Sequence, residues 1–539
     1  MLDSLHPAPA DCEEPMTRLQ NINTTDLHAA IQLGCRTMQN IFNADDNFVP
    51  FFGSTVWPHA ALWFSPDLSE CHVPGRHLNA LLTAEAVAGI EIDPVAVEHH
   101  RRAAFFSFSG PLRLPFNRQR MDGPLVNCYT HNLREGMHAL YALVKYRHDA
   151  QAYELAEAFI AEVNRLWQPK RGWEVERLRA LGINFQDGQG PLNGETRMIG
   201  PLVKYFRATG SAAALDLALR LKDDALRLFL PDGAYDHAHF ITDHTHSITS
   251  SMSSLAQLGD LLNDTALLQQ VKAFYDHGLW DMRDEIGWTP GGVFQQGTDL
   301  GESSTGGDMV ETALILARRG HSEYYADAER ILRCHLLPSQ LRDVTFMHDA
   351  PNPNHEDGLR DAANRHLGAF GVPTPYGHVS VGKDKDSIGF YMDVVGSVVG
   401  SLCAVLQAIA HRDAAGQWVH LLFDYDDADV RIESPYTHDD LRITLKRPGP
   451  LFVRLPRWLT PSDVVIDDHS FTPHWVNGYL ALINPPVGVP IRIRFPLKET
   501  TITLSERVHS RPIRLRLSGD SPIAMDNFGA DLTFFEPYE

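Results

Sequence analysis

The sequence predicts a mainly α-helical chain, an (α/α)6 barrel followed by a C-terminal β-sandwich domain, and two observations carry this prediction. The first is a helix-turn-helix joint that recurs at intervals of roughly 60 residues before residue 417. The second is a change of pattern near Gln417, where short strand-like runs replace the helical periodicity. Stacked helix pairs bury each other's apolar faces, so six pairs predict a closed toroid, with an open right-handed solenoid as the alternative.

Length and composition limit the classes of function. A chain of 539 residues is too long for one ordinary core, which favours two domains. Its 44% hydrophobic and 21% charged residues are typical of a soluble globular protein. The net charge of -21 argues against nucleic acid and anionic membranes as partners, because both bind basic surfaces.

The cysteines and the N-terminus indicate a reducing compartment. Six cysteines lie far apart without a CxxC pair, so we expect buried thiols rather than a disulfide framework or a cysteine-rich zinc site. The N-terminus lacks a basic start followed by an apolar run, and no apolar segment of membrane-spanning length occurs. We therefore expect a cytoplasmic protein, or a periplasmic one if a signal peptide has been removed.

Taken in order, the chain begins with a polar, proline-bearing tail over residues 1–19, expected to be flexible. Residues 20–416 form the predicted barrel domain, and residues 417–539 form the predicted β-sandwich domain. Thr24-Thr25-Asp26 is typical of a helix start. A loop-rich aromatic stretch, Phe48 to Phe64, follows this first helix and is a candidate wall for a ligand pocket.

Five joints define the repeat, each with a polar or glycine-bearing turn between two helices. They run from Leu81 to Pro94, from Leu143 to Tyr153, from Leu202 to Leu215, from Leu255 to Leu267 and from Leu314 to Tyr325. A sixth pair would use the apolar helix from Ser397 to Ala410. The long insertion before it, from Leu341 to Lys385, is rich in Pro, Gly, His and Asp and is expected to be functional.

Seven short runs with partial alternation predict the strands of the sandwich, separated by Pro, Asp, Gly and Asn. They are Trp418 to Phe423, Val430 to Glu433, Leu441 to Leu445, Leu451 to Leu455, Tyr479 to Ile483, Ile491 to Phe495 and Thr500 to Leu504. We expect this domain to pack against the barrel and to have a structural role.

Polar and ionisable residues recur where the inner helices of the predicted toroid begin. The clusters are Cys71 to His77, Asn127 to Asn132, Asn193 to Arg197 and Asp243 to Ser247. In a toroid these helix starts face one funnel, so the side chains would converge on a central pocket. The expected substrate-binding residues are Arg76, His77, Asn127, Tyr129, His131, Arg197, Asp243, His244, His246 and Tyr391.

Purely structural roles remain open for these residues. Asp243 could cap a helix, and Arg76 and Arg197 could pair with acidic neighbours instead of binding a substrate carboxylate. His244 and His246 form an HxH pattern, which is a weak metal signal without further acidic or cysteine partners. We therefore predict no metal and no cofactor.

The stretch from Gly301 to Glu311, GESSTGGDMVE, predicts a Gly/Ser-rich loop that becomes a helix near Asp308. Asp308 and Glu311 would then lie in the first helical turn, where acidic residues interact favourably with the helix dipole. Glu302 would stay in the loop. Either these are capping residues or one is a catalytic carboxylate at the mouth of the barrel.

A funnel of carboxylates, arginines, histidines and aromatic rings suits carbohydrate. Sugars need polar partners for their hydroxyls and flat faces for their CH surfaces, and glycosidic cleavage needs one protonated and one ionised carboxyl group. The expected catalytic residues are Glu302, Asp308, Glu195 and Asp393. The sequence does not decide which two form the pair.

Three stretches together resemble the six-hairpin glycosidases of the β-L-arabinofuranosidase superfamily, similar to glycoside hydrolase families 127, 146 and 154. They are GESSTGGDMVE with YYADAERILRCHLLPSQL, GFYMDVVGS before the sixth pair, and LFVRLPRW with VNGYLALINP in the sandwich. The resemblance covers most of residues 70–510. It implies an (α/α)6 barrel with β-sandwich parts and exo-cleavage of plant or algal polysaccharide side chains.

The resemblance also separates subfamilies. Family 127 has a Glu and a Cys in an ETC-type motif and a later CC pair, which together form a zinc-thiolate centre with a nucleophilic cysteine. This chain has Glu302-Ser303-Ser304 and Asp393-Val394-Val395 at the matching positions. The glutamate matches and the cysteines are missing, so the chain is similar to family 154, for which the resemblance implies exo-β-glucuronidase activity.

We therefore predict a glycoside hydrolase that releases a terminal uronic acid from an oligosaccharide or small glycoside, with homodimerisation left open. Three alternatives remain: a uronate lyase with a Tyr or His base, a sugar epimerase with paired histidines, and a non-catalytic carbohydrate-binding protein. The last alternative predicts that no two carboxyl groups in the funnel lie within about 5 to 10 Å of each other.

Overall fold

Helical hairpins occupy the chain up to Ala408, and short strands follow. The structure is a computed structural model that describes residues 22–56, 58–187, 190–236, 244–293, 301–371, 390–467, 472–509, 511–526 and 535–538. The α-helices are α1 (Leu27–Met38), α2 (His72–Ala88), α3 (Pro94–Ser107), α4 (Leu133–Arg147), α5 (Ala150–Leu166), α6 (Val175–Ala180), α7 (Ile199–Thr209), α8 (Ala212–Ala225), α9 (Thr245–Leu262), α10 (Thr265–Asp276), α11 (Ser303–Arg318), α12 (Tyr324–Ile331), α13 (Ala362–Arg365) and α14 (Met392–Ala408). Short 3-10 turns occur at Thr130–Asn132, Glu195–Met198, Gly278–Asp281, Asp357–Leu359 and Pro461–Asp463, and a π-helical turn at Leu332–Leu336.

All five predicted joints are confirmed, and side-chain caps explain where their second helices begin. Asp93, Asp149, Ser211 and Asp264 each accept a hydrogen bond from a backbone N–H in the first turn of α3, α5, α8 and α10. Asp26 caps α1 in the same way, as the helix start at Thr24-Thr25-Asp26 predicted. Such caps satisfy N–H groups that have no partner within the helix.

Within the described residues, six helices contact one another in a closed cycle. The order is α2, α4, α7, α9, α11 and α14, with α14 returning to α2. The helices α3, α5, α8, α10 and α12 pack on the outside, against α2, α4, α7, α9 and α11 respectively. The predicted stacking of helix pairs is therefore present, and the inner helices surround a common axis.

The sixth pair is made by the two ends of the helical region. The inner helix α14 begins at Met392, a few residues earlier than predicted, and its outer neighbour is α1. The helix α1 also contacts α2, so it seals the joint between the last and the first inner helix. Gly34 allows this close approach, because a Cβ at that position would overlap Val399 of α14.

The prediction of a loop before Asp308 is wrong, because α11 already begins at Ser303 with Glu302 in the N-cap position. The glycines here serve packing instead of loop formation: a Cβ at Gly306 would lie 2.8 Å from His335 Nδ1, and one at Gly307 would lie 2.5 Å from Ser401 Oγ. Asp308 and Glu311 consequently lie beyond the first turn, which contains no acidic residue. They are not dipole-capping residues.

Short strands accompany the helices and then form the C-terminal region. Between the helices lie β1 (Phe42–Asn43), β2 (Val49–Pro50), β3 (Gly53–Thr55), β4 (Ala61–Trp63), β5 (Asn117–Arg118), β6 (Leu125–Tyr129), β7 (Trp167–Gln168), β8 (Gly172–Trp173) and β9 (Asn184–Gln186). After them come β10 (Ala410–Arg412), β11 (Gln417–Val419), β12 (Tyr425–Asp426), β13 (Val430–Glu433), β14 (Leu441–Leu445), β15 (Leu451–Arg454), β16 (Val465–Ile466), β17 (His474–Val476), β18 (Tyr479–Leu482), β19 (Ile491–Arg494), β20 (Glu499–Leu504), β21 (Ile513–Ser518), β22 (Ser521–Met525) and β23 (Glu536–Pro537). Each of the seven predicted strand runs overlaps one of these strands, and β11 and β20 begin one residue before the predicted run.

The C-terminal strands form three sheets among the described residues. Two are five-stranded, with the orders β10-β11-β15-β18-β17 and β12-β13-β14-β19-β16, and the third has the order β20-β21-β22-β23. Alternation sets the register: Ile432 lies opposite Ile443, which lies opposite Ile491, and all three are buried. The first sheet begins with β10, just before the predicted domain boundary.

A buried ion cluster joins the helical and strand regions. Glu329 of α12 accepts a hydrogen bond from Arg333 Nη2 at 3.0 Å and pairs with Arg454 of β15. Arg333 Nη2 also donates to the backbone carbonyl of Leu422 at 2.8 Å. All three charged side chains are buried, so this contact holds the first strand sheet against α12.

The described cysteines are buried free thiols, as expected from their spacing in the sequence. Cys35, Cys71, Cys128, Cys334 and Cys403 are buried free thiols, and Cys12 lies outside the described residues. In the part of the chain that the structure describes, no helix is both long enough and apolar enough to cross a membrane.

Candidate active site

Side chains from the N-terminal ends of all the inner helices meet at one end of the ring. The inner helices lack side-chain caps, unlike α1, α3, α5, α8 and α10, so their first polar residues are available to contact one another. The cluster contains His72 and Arg76 of α2, Glu135 of α4, Arg197 before α7, His244 and His246 at α9, Glu302 before α11, and Asp393 of α14.

Glu135 is the centre of a buried ion layer at the base of this cluster. Its Oε1 atom accepts from Arg76 Nε at 3.2 Å, from Arg134 Nη1 at 3.0 Å and from Arg197 Nη2 at 3.1 Å. Burial would raise the pKa of Glu135, but His72 and the three arginines outweigh it and hold this pKa well below its usual value. Glu135 is therefore ionised and fixes the guanidinium groups in place.

Asp393 lies above this layer and is ionised as well. Its Oδ2 atom is 2.8 Å from Arg76 Nη1 and 3.1 Å from His72 Nε2. Although burial acts in the opposite direction, Arg76 and His72 lower the pKa of Asp393 to about 2. Asn132 Oδ1 lies 2.9 Å from the other ring nitrogen of His72, which orients the imidazole toward the carboxylate.

Glu302 is partly exposed to the funnel and contacts two histidines. Its Oε1 atom is 3.2 Å from His244 Nε2, and its Oε2 atom is 3.5 Å from His246 Nδ1. The hydroxyl of Ser304 donates to Oε2 at 2.9 Å. Burial raises the pKa of Glu302, but His244 and Arg76 prevail and lower it.

His246 bridges Glu302 and Asp308. Its Nε2 atom lies 3.4 Å from Asp308 Oδ2, which also accepts from the hydroxyl of Thr249 at 2.9 Å. Burial raises the pKa of Asp308 to about 7, even though Arg134 opposes this shift. Burial and the nearby Arg76 keep the pKa of His246 well below its usual value, so the bridge is neutral. One imidazole thus links an ionised carboxylate to one that retains its proton near neutral pH.

Aromatic rings form the wall of the funnel. His131 stacks on His72 with ring centroids 5.1 Å apart, and it also contacts Tyr129 at 5.3 Å and His244 at 5.4 Å. Tyr391 is 40% exposed and stacks on Phe52. Burial and the charges of Glu302 and Asp393 raise the pKa of Tyr391.

Three predicted residues lie apart from the cluster. Glu195 accepts a hydrogen bond from the indole of Trp173, and burial raises its pKa to about 8. His77 contacts the backbone carbonyl of Met392 at 2.7 Å, and Asn127 donates to the backbone carbonyl of Pro66 at 3.0 Å. These contacts hold neighbouring segments together. Asp243 lies outside the described residues.

The guanidinium groups of Arg76 and Arg197 are both paired with other side chains of the protein. Arg76 contacts Glu135, Asp393 and His246, the last at 3.4 Å. Arg197 is fully buried and donates to Glu135 and to Ser250. The pairing with acidic neighbours that the sequence left open is therefore present for both arginines.

A zinc-thiolate centre does not fit this site. Ser303 and Ser304 replace the thiol of the first motif, and every described cysteine is buried elsewhere with contacts of its own. The ligand atoms of His244, His246 and Glu302 lie within 4.8 Å of one another. Among the residues that the structure describes, these three form the group that could hold a divalent cation. Arg76 Nη2, 3.4 Å from His246 Nδ1, places a competing positive charge at the same point.

The sequence-based prediction missed the residues that connect the cluster. Glu135 and Arg134 lie inside a helix without any motif, and nothing in the sequence marks them as the partners of Arg76 and Arg197. His72 lay within a recognised cluster but was not selected. Phe52 belongs to the aromatic stretch considered as a pocket wall; it is buried and stacks on Tyr391.

Comparisons with known proteins establish the fold. Neither the known protein families nor the curated proteins provide a match to the sequence. Among solved structures, a GH127 β-L-arabinofuranosidase from Geobacillus stearothermophilus T6 matches with a TM-score of 0.55 and 12% identity, over 93% of this chain and 86% of that chain. A second GH127 β-arabinofuranosidase matches with a TM-score of 0.54 and 13% identity, over 92% and 79% of the two chains. A glycoside hydrolase matches with a TM-score of 0.53 and 11% identity, over 90% and 84%. At this identity the likeness shows a shared fold.

Proposed function

We propose that the chain is a glycoside hydrolase, and the observation that carries this proposal is the bridge from Glu302 through His246 to Asp308. Glycosidic cleavage needs an ionised and a protonated carboxyl group. The pKa of Glu302 is lowered and that of Asp308 is raised to about 7. Because one imidazole contacts both, their oxygens lie within the roughly 5 to 10 Å range that glycosidases use.

In this proposal Glu302 acts on the substrate and Asp308 acts through His246. Glu302 lies at the funnel and serves as acid or base. Asp308, which holds a proton near neutral pH, can pass this proton to His246 Nε2 while His246 Nδ1 gives its own proton to Glu302 Oε2. The reverse transfer returns it. Asp308 is thus a positioning residue that stores the proton, and Asp393 is the second ionised carboxylate beside the bound sugar.

The walls of the funnel support a sugar substrate. Tyr391 and Tyr129 offer flat faces for the CH surface of a pyranose or furanose ring, while Asn193, His131 and His244 offer hydrogen bonds for hydroxyl groups. The ring of inner helices corresponds in this proposal to an (α/α)6 barrel, and the strand region to a β-sandwich. Both are what the resemblance of the sequence to six-hairpin glycosidases implies.

Within this class we propose a terminal uronic acid as the released sugar. The three arginines around Glu135 balance the negative charges of Glu135, Asp393 and Glu302, so an anionic substrate does not meet a net negative charge at the base of the funnel. Since Arg76 and Arg197 already pair with protein groups, they would offset the charge of the substrate carboxylate instead of forming a direct fork with it. A neutral sugar is the alternative.

The direct test is incubation of the protein with matched aryl β-glucuronides, β-glucosides and α-L- and β-L-arabinofuranosides, followed by identification of the released sugar. We expect glucuronate to be released. Release of a neutral sugar instead would contradict the uronate proposal but keep the hydrolase. An unsaturated product that absorbs ultraviolet light would indicate a lyase, and the absence of turnover on aryl glycosides and on uronate-capped oligosaccharides would contradict the enzyme proposal.

A sugar epimerase is the second candidate, because one observation favours it. The imidazoles of His244 and His246 contact each other with centroids 5.7 Å apart, and His131 and His72 stack nearby. Two histidines on opposite sides of a sugar could remove and return a proton. Incubation with free monosaccharides in D2O distinguishes this reaction, because epimerisation by proton transfer incorporates deuterium at the reacting carbon and hydrolysis does not.

A further inference from the structure

A second cavity, of about 740 Å³, lies at the opposite end of the ring of inner helices. Tyr146, Arg207, Arg318 and Ala408 line it, at the C-terminal ends of α4, α7, α11 and α14. The candidate active site lies at the N-terminal ends of the same helices. We call this cavity the rear chamber; its lining also includes Arg76, Arg134 and Asp308, so it extends from these helix ends to the ion layer around Glu135.

Small residues on α14 create the space. Gly400 and Ala404 follow one another at an interval of one helical turn and line the rear chamber, whereas a Cβ at the preceding Gly396 would lie 2.9 Å from the backbone carbonyl oxygen of Arg76. A Cβ at Gly400 would meet Asn79 Nδ2 at 3.9 Å and no other atom within 4 Å among the described residues. The chamber is therefore open at this point of the helix, and a larger side chain could enter it.

One wall of the rear chamber carries more positive than negative charge. Arg207, Arg318 and Arg319 share a single carboxylate, Asp260, at 2.8, 2.6 and 2.6 Å. Arg207 and Arg318 line the chamber, and their side chains are 43% and 45% exposed. Two guanidinium groups are thus left with donors for an anion, and guanidinium matches the geometry of a carboxylate.

Aromatic rings from the strand region and from α12 form the facing wall. Tyr325, Trp418 and Tyr479 line the chamber together with His420. His420 stacks on Tyr325 with centroids 4.3 Å apart, and its Nδ1 atom lies 2.7 Å from the Tyr479 hydroxyl. Packing against the strands fixes these rings, and fixed aromatic rings are the usual partners for the CH face of a sugar ring.

A buried polar atom also lacks a partner here. The side chain of His138 lines the chamber and is 5% exposed, yet its Nδ1 atom has no hydrogen-bond partner among the described residues. Burial and the charge of Lys204 lower its pKa well below the usual value, so the ring is neutral. A neutral imidazole can donate to or accept from a hydroxyl group.

We propose that the rear chamber binds a second small molecule, a sugar acid of monosaccharide size. Its carboxylate would bind between Arg207 and Arg318, its ring would lie against the aromatic wall, and a hydroxyl would reach His138. The volume is within the range of small-molecule sites. The proposal does not depend on the reaction at the funnel, because binding to the chamber needs no turnover.

The test is isothermal titration calorimetry of the full chain with D-glucuronate and with D-glucose. We compare the wild type, Gly400→Leu, which fills the chamber, and Gly400→Ala, which is the matched control. Both variants favour the helix, since glycine is the weaker helix former, and thermal melting checks that they fold. We expect wild type and Gly400→Ala to bind glucuronate in the chamber and Gly400→Leu to lose this binding.

A charge variant and a funnel variant complete the design. Arg318→Gln should weaken glucuronate binding in the chamber about tenfold or more, because a hydrogen bond to a charged partner is lost, and should leave glucose binding unchanged. His244→Ala removes a side chain of the funnel and should leave the chamber's binding intact. If the funnel also binds glucuronate, calorimetry should give two binding sites for the wild type and one for Gly400→Leu. If the proposed function is wrong and only the chamber binds glucuronate, it should give one site for the wild type and none for Gly400→Leu.

Three results would contradict the proposal. In the first, the wild type and Gly400→Leu bind glucuronate with equal stoichiometry and affinity. In the second, the wild type shows no binding of glucuronate up to millimolar concentration. Tighter binding of glucose than of glucuronate would also contradict the assignment to a sugar acid, because the excess charge at Arg207 and Arg318 would then have no role.

Discussion

At the scale of single residues, Glu302 has the environment expected of a reacting carboxylate. It is ionised, partly exposed to the funnel and contacted by His244 and His246. Glu302→Gln keeps the shape of the side chain but removes the charge and the basic oxygen. We expect turnover to fall by at least about 100-fold, the usual contribution of a general acid or base. Measurement of kcat with the aryl glycoside that the wild type cleaves best is the check.

The control for this variant is Glu154→Gln, the same change at an exposed position of the outer helix α5. It should leave both kcat and thermal stability within error of the wild type. Near-wild-type kcat in Glu302→Gln, with the control unchanged, would exclude Glu302 from the reaction. The remaining carboxylate of the funnel, Asp393, would then be the residue to test.

Asp308 predicts a pH dependence of stability. Its folded pKa of about 7 lies above the ordinary value of 3.8, so the folded state holds a proton that the unfolded state has lost between about pH 4 and 7. In that window stability must fall as the pH rises, and below pH 4 the contribution is fully present. Asp308→Asn mimics the protonated form and can still accept from Thr249. We expect the fall in melting temperature from pH 5 to 7 to be smaller in Asp308→Asn than in the wild type.

The measurement is the difference between the two melting curves at each pH, in which the titration of all other groups largely cancels. Asp413→Asn, at a surface position with a lowered pKa, serves as the control and should not reduce the fall between pH 5 and 7. Parallel curves for wild type and Asp308→Asn would show that Asp308 is ionised in the folded protein, and the proton relay through His246 would have to be abandoned.

Most of the site residues that could be predicted from the sequence are polar residues at the starts of inner helices. Glu302, Asp393, His244 and His246 were selected because polar residues recur where inner helices begin, and the structure brings these four together. Glu135 was missed because a glutamate inside a helix has no signature of its own. Its role as a shared partner of three arginines arises only when α2, α4 and α7 meet, and that meeting depends on side chains distant in sequence.

At the scale of elements, the crossing of α2 and α4 depends on Gly75. A Cβ at this position would overlap the backbone carbonyl of Glu135, so the two helices touch without an intervening side chain. Gly75→Ala should push α2 away from α4, pull Arg76 from Glu135 and destabilise the protein by about 1 to 3 kcal/mol, as overpacking does. Denaturant unfolding monitored by circular dichroism measures the loss.

Gly400→Ala is the matched control for this prediction, since it makes the same change inside an inner helix where the Cβ has room. It should be neutral or slightly stabilising because alanine is the better helix former. Equal destabilisation by both variants would mean that helix geometry in general, and not the contact at Glu135, limits the substitution.

The elements also show where periodicity succeeds and where it misleads. Capping residues such as Asp93 and Asp149 mark helix starts in the sequence and begin the second helix in four of the five joints, while α12 in the fifth begins without a side-chain cap. The start of α11 was misplaced because Gly306 and Gly307 resemble a loop. They are needed instead for the close approach of His335 and Ser401, a contact between elements that local patterns do not record.

At the scale of the whole molecule, the ring closes through residues from opposite ends of the helical region. The repeat predicted that six pairs would form, but it could not identify α1 as the outer partner of α14, because hundreds of residues separate them and no joint links them. The inner helix α14 contacts α2, whereas an open solenoid would leave its first and last repeats apart. The cycle of inner helices has two ends, with the funnel at one and the rear chamber at the other.

The strand region completes the molecule by covering α12, and the buried cluster of Glu329, Arg333 and Arg454 is the contact to test. Glu329→Ala would leave two buried guanidinium groups without their carboxylate, which typically costs about 3 to 5 kcal/mol. We expect a melting temperature lower by several degrees and faster proteolytic release of the strand region. Glu433→Ala is the control, because Glu433 pairs with Arg431 and Arg442 at the surface, where ion pairs contribute about 0 to 1 kcal/mol. If both variants melt alike and are cleaved alike, the ion cluster does not hold the two regions together, and the apolar contacts around it must do so.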